Sequence, residues 1–121
     1  MFAWVKATIA LVLLGAPEVR SLGDRQAWVQ PSPNPGAPAL VVLHASASSA
    51  GQIERLTGFS ELEDKPNILY PEAVESGWND GRPDAFPPHG GQDDVAFVDQ
   101  CLELAVTQYK ADPKKLYVVG F

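Results

Sequence analysis

Cysteine is nearly missing from this chain, and clustered positive charge is missing altogether. Cys101 is the single cysteine among 121 residues, which excludes an internal disulfide framework and any zinc site built on several thiolates. Nine Lys and Arg against fifteen Asp and Glu leave a formal charge of −6. The longest basic run is Lys114-Lys115, which argues against nucleic acid as a partner. The two histidines, His44 and His89, lack metal-ligand spacing, and Asp93-Asp94 reads as a helix cap, so no metal or other cofactor is assigned. The apolar stretch at residues 7–14 is far short of the roughly 20 residues that cross a bilayer, so no membrane partner is expected. No internal repeat or low-complexity tract occurs.

What is present suits one globular domain, with 45% apolar and 20% charged residues. At the N-terminus Lys6 precedes the apolar stretch, and Gly15-Ala16 follows it, which is the shape of a secretory leader. Residues 1–16 are therefore expected to be a signal peptide of an extracellular protein, with residues 17–121 forming the domain. The competing reading of the same segment is a buried N-terminal helix or strand.

Hydrophobic patterning then sets the elements. Arg25-Gln26-Ala27-Trp28-Val29-Gln30 alternates weakly and stops at Pro31, which predicts an edge strand. After a proline-rich loop, Ala39-Leu40-Val41-Val42-Leu43 is a continuous β-branched run of the kind found in strands buried on both faces. Ile53, Leu56, Phe59 and Leu62 recur at helical spacing up to Pro66. Asn67 to Tyr70 predicts a second buried strand that stops at Pro71. A long glycine- and proline-rich loop spans residues 72–92. Asp93 or Asp94 then caps a helix whose expected apolar face is Val95, Val98, Cys101, Leu102, Ala105, Val106 and Tyr109. Asp112-Pro113 ends it, and Leu116 to Val119 predicts a third buried strand. Strand, helix, strand, helix, strand implies right-handed crossovers and a mostly parallel sheet between helical layers, a three-layer α/β architecture. Such sheets place their sites at the C-terminal ends of the strands.

Four segments at or near those ends carry a resemblance. Leu43-His44-Ala45-Ser46, Tyr70-Pro71-Glu72, Gly77-Trp78-Asn79-Asp80-Gly81-Arg82, and the run from Asp112 to Val119-Gly120-Phe121 together resemble the polyhydroxybutyrate depolymerase and feruloyl esterase family of α/β-hydrolases. The resemblance covers the chain from about Arg25 onward. It implies the N-terminal part of an α/β-hydrolase fold, incomplete here, belonging to a secreted serine esterase that cuts polyesters or esterified plant polysaccharides. Gly120-Phe121 matches the opening of a G-x-S-x-G elbow, so the nucleophile is expected immediately after Phe121, and the triad Asp and His beyond it. No catalytic residue is then expected within these 121 positions.

The resemblance assigns the oxyanion hole to the backbone N–H groups of Ala45 and Ser46, with alanine standing where the family usually has glycine. A positive φ at Ala45 would strain that side chain. His44, Trp78 and Asn79 are carried over as residues beside the substrate pocket, His44 anchoring its loop rather than acting as a base. Packing alone is an equal account of Trp78. Arg82 is expected to pair with Asp80 or Asp84 on the surface. Cys101, on the face of the best helix, reads as an inert hydrophobe. The implied partner is an ester substrate; oligomeric state is left open. Two other functions stay in view: a non-catalytic binding module or remnant, and a serine peptidase related to the prolyl oligopeptidases.

Overall fold

A computed structural model describes residues 17–82 and 91–121 of the chain. The expected leader at residues 1–16, and His89 and Asp84 in the long loop, lie outside the described residues. Among the described residues five strands and two α-helices follow one another as β1 (Glu18–Leu22), β2 (Arg25–Gln30), β3 (Ala39–Leu43), α1 (Ala50–Thr57), β4 (Asn67–Pro71), α2 (Asp94–Gln108) and β5 (Leu116–Gly120). They form one sheet in the order β1-β2-β4-β3-β5.

Pairing is parallel between β3 and β4 and between β3 and β5, but antiparallel between β1 and β2 and between β2 and β4. The sheet is therefore mixed rather than mostly parallel. The difference comes from β2 running antiparallel to β4 and from a hairpin that the sequence pattern did not mark. Gly23 takes φ +67° at the first of two turn positions, the placement a type II′ turn requires of glycine, and folds β1 back on β2. β1, not β2, is then the edge. Its Glu18, Arg20 and Ser21 leave too little apolar signal to mark a strand, whereas Ala27 and Val29 of β2 are buried.

Alternation along the strands sorts the core into two layers. Val42 of β3 and Ile68 and Tyr70 of β4 pack with Ala50 and Ile53 of α1. On the other face Ala27, Val29, Ala39, Val41 and Leu69 pack with Phe97, Cys101, Leu104 and Ala105 of α2. Both helices depart from expectation. α1 ends at Thr57, because Gly58 adopts the left-handed cap conformation, φ +61°, well before Pro66. Leu56 is exposed as a result, and Phe59 belongs to a short 3-10 turn, Phe59–Glu61. α2 buries Phe97, Cys101, Leu104 and Ala105, while Val95, placed on the apolar face by its spacing, is 74% exposed. Apolar residues occur nearly all around α2, so its periodicity does not choose a face.

The strand ends differ in exposure as well. β4, between β2 and β3, is buried along its whole length. β5 was expected to be buried, yet as the last strand of the sheet it leaves Tyr117 and Val118 about half exposed. Gly36, Ala37 and Ala39 tie the start of β3 to the segment before β5 through Gly36 N–H to Lys110 O, Asp112 N–H to Ala37 O and Ala39 N–H to Lys115 O. This stitching fixes the register of β5 on β3. Leu43 faces Gly120 across that register, so the loop after β3 opens beside the last residues of β5.

Candidate functional site

The loop between β3 and α1 begins at His44, whose side chain is buried. Ala73 N–H donates to its Nε2 at 3.1 Å, and its Nδ1 lies 2.8 Å from Ala45 O. Because Nε2 accepts, the hydrogen-bond network assigns the ring proton to Nδ1, which donates to Ala45 O. Glu72 Oε1 stands 3.6 Å from Nε2, beyond hydrogen-bond reach of a nitrogen that carries no proton. His44 thus sits behind the loop with both ring nitrogens used, not on a pocket surface. Glu72 instead turns its carboxylate to the start of α1, where Ala50 N–H reaches both oxygens at 3.2 and 3.1 Å. Together with Ser49, whose hydroxyl accepts from Gln52 N–H, it satisfies donors that a helix start leaves free.

Ala45 and Ser46 are exposed. Among the described residues neither backbone N–H donates to an acceptor in the protein, whereas their neighbours Ala47 and Ser48 donate to Ser76 O and Ala45 O. Ala45 does not take a positive φ; that conformation falls on Ala47, φ 61°. Alanine therefore carries no left-handed strain at position 45. The arrangement presents two successive free donors on an exposed loop, which is what an oxyanion needs.

A second loop braces the first. Trp78 Nε1–H donates to His44 O at 2.8 Å, and its ring lies 5.1 Å from the His44 ring. Trp78 is half-buried against the α2-side core, so its packing and its polar contact act together. Behind it stands Arg25, whose guanidinium lies 3.9 Å from the Phe97 ring centre and 5.9 Å from that of Trp78. Arg25 pairs with Asp94 at 2.5 Å and donates to Glu72 O at 3.2 Å. The other Asp94 oxygen accepts from Asn79 N–H. Asp94 is accordingly not the helix cap; Asp93 is, through Ala96 N–H at 2.9 Å.

Asn79 fastens the same loop with its side chain, donating from Nδ2 to Gln92 O at 2.9 Å. Asp80 pairs with Arg82 at 2.6 Å on the surface. The buried Cys101 thiol is pushed up to about 12 by desolvation, with Arg25 pulling the other way by less. It has no nucleophilic character at neutral pH. A cavity of about 620 Å³ lies between the β1–β2 turn and the first turn of α2, with Arg25, Glu72, Gln92 and Phe97 in its wall. Ala45, Ser46 and Trp78 do not line it. Among the described residues no group of three or more His, Cys, Asp or Glu side chains is placed to hold a metal ion, and no helix is long and apolar enough to cross a membrane.

Sequence reasoning brought His44, Ala45, Ser46, Trp78 and Asn79 to this end of the sheet, and all five lie there. It gave no role to Arg25 or to the Glu72 carboxylate, and offered Asp94 only as an alternative helix cap to Asp93. The available signal was a charge beside apolar or turn-closing residues: Arg25 at the start of an alternating strand, Glu72 just after Pro71, and a second aspartate where one cap suffices.

No family model matches the chain. The chain is similar to "Putative esterase NocK" of Nocardia uniformis subsp. tsuyamanensis, 31% identical in a 103-residue alignment that covers 73% of this chain. The likeness is to an esterase. It extends over 28% of that relative's length, and it does not distinguish the polyester and feruloyl types from other esterases.

Proposed function

We propose that this chain is part of a secreted serine carboxylic-ester hydrolase of the polyhydroxybutyrate depolymerase and feruloyl esterase type, with an α/β-hydrolase fold of which these residues supply the N-terminal part. The observation that carries the reading is the β3–β5 register. Leu43 faces Gly120, so the free N–H groups of Ala45 and Ser46 begin one step from the place where a G-x-S-x-G turn would continue. In α/β-hydrolases the oxyanion hole combines the N–H after the nucleophile with one from the loop between the third strand and the following helix. In this reading the loop from His44 to Ser49 is that loop. The general likeness to an esterase supports the reaction class.

In this reading a serine following Phe121 attacks the ester carbonyl while a histidine, oriented by a carboxylate, takes its proton. The alcohol leaves, and water resolves the acyl-enzyme. As the carbonyl carbon becomes tetrahedral, charge gathers on its oxygen, and the Ala45 or Ser46 N–H receives it without reorganisation. The nucleophile, base and acid all come from sequence beyond Phe121, so residues 17–121 by themselves turn over no ester. The test compares the full-length protein with residues 17–121 on p-nitrophenyl acetate. Turnover by the full-length protein alone, abolished by a fluorophosphonate, is the expected result. A full-length protein without turnover, or fluorophosphonate-sensitive turnover by residues 17–121, overturns the proposal.

A further inference from the structure

The peptide that joins His44 to Ala45 has two polar ends. Its N–H, on Ala45, is one of the two free donors. Its C=O, on His44, accepts the Trp78 indole N–H at 2.8 Å. A peptide is planar, so a donor that fixes the direction of the carbonyl also fixes the direction of the N–H at the opposite end. It polarises that N–H as well, since hydrogen bonds along one peptide strengthen each other. From this geometry we infer that Trp78 is a positioning residue for ester hydrolysis, acting through the His44–Ala45 peptide rather than by touching substrate. The inference rests on the oxyanion reading of Ala45 proposed above.

The indole is itself held on three sides, as a positioning role demands. Its ring packs against the buried core that includes Phe97, it tilts across the His44 ring, and the Arg25 guanidinium approaches its face. The next backbone N–H along the chain, that of Asn79, is tied to Asp94, which in turn pairs with Arg25. The path therefore runs from β2 and the first turn of α2, through the Trp78 loop, to one peptide of the β3 loop. Both ends of the path are rigid: Arg25 and Asp94 are largely buried, and His44 is pinned by Ala73 and Ala45.

Two substitutions in the full-length protein test it. Trp78→Phe keeps an aromatic ring and removes the N–H. Replacing Trp78 by benzothienylalanine removes the N–H from a ring of the same shape, and it decides the matter if Trp78→Phe folds poorly. The expected result for p-nitrophenyl acetate is a fall of roughly 10- to 100-fold in kcat, with KM within about twofold of wild type and the melting temperature retained. The amide order parameter of Ala45, measured by nitrogen-15 relaxation, is expected to drop in the same variants. An unchanged kcat and an unchanged Ala45 order parameter overturn the inference. So does a loss of activity that only follows loss of folded protein. Should the wild-type protein show no ester turnover, the functional proposal fails by itself, and the order parameter still decides whether Trp78 holds this peptide.

Discussion

Cys101 illustrates how burial alone can silence a reactive group. Its thiol lies at the face of α2 that meets the sheet, without solvent contact. The desolvated thiolate is so disfavoured that the proton stays on up to about pH 12, against an ordinary value of 9.0. Between those two values the unfolded chain has lost a proton that the folded chain keeps, so stability falls as pH rises through that window and is unaffected below it. Tyr109 titrates nearby, raised to about 12 from 10.0 by burial and by its hydrogen bond to Glu18, so a comparison is needed to isolate the thiol. The urea midpoint of the wild-type chain is expected to fall more than that of Cys101→Ala between about pH 8 and about pH 10.5. Equal slopes for the two proteins would show that the thiol does not contribute. His44 makes the complementary point: a buried polar group is tolerated because both of its nitrogens have partners.

Helix α2 begins with two aspartates that do different jobs. Asp93 caps, accepting from Ala96 N–H, and removal of such a cap typically costs about 1 kcal/mol. Asp94 is buried against Arg25 and also holds Asn79 N–H. Its loss leaves a desolvated guanidinium without its counter-charge, which in comparable cases costs about 3–5 kcal/mol. Urea unfolding should therefore rank Asp94→Ala well below Asp93→Ala in stability, and equal losses would remove the distinction between cap and brace. The aspartate pair was legible as a helix start from sequence, but its division of labour was not. Arg25 and Asp94 stand 69 positions apart, and nothing local to either names the other. The turn of α2 about its axis was illegible for a related reason. With Val95, Phe97, Val98, Leu102, Leu104 and Val106 spread around the helix, the sheet it packs on decides which of them are covered.

At the scale of the whole sheet, β5 is expected to set the behaviour of residues 17–121 in solution. Among the described residues β5 pairs with β3 on one side only and leaves Tyr117 and Val118 about half exposed, and an apolar strand with a free edge is a template for pairing with another chain. Residues 17–121 expressed alone are expected to self-associate with rising concentration in sedimentation velocity, and Val118→Lys to reduce that association. A monomer at all concentrations, or no effect of the lysine, would sink this view of β5. Local chemistry settled much of the architecture beforehand. Short continuous apolar runs mark β3, β4 and β5 as strands, and β3 and β4 are covered as such runs imply, whereas β5 has the same kind of run and is left about half exposed. The residues His44, Ala45, Ser46, Trp78 and Asn79 stand where strand ends had to place them. Tertiary structure alone decided three things: that a weakly apolar, charged segment pairs as β1, that β2 lies inside the sheet, and that Arg25, Asp94 and Trp78 converge behind one peptide of the β3 loop. The reason is physical. Burial pattern and turn chemistry are written in neighbouring residues, whereas hydrogen bonds and ion pairs between distant segments exist only once the sheet has brought their ends together.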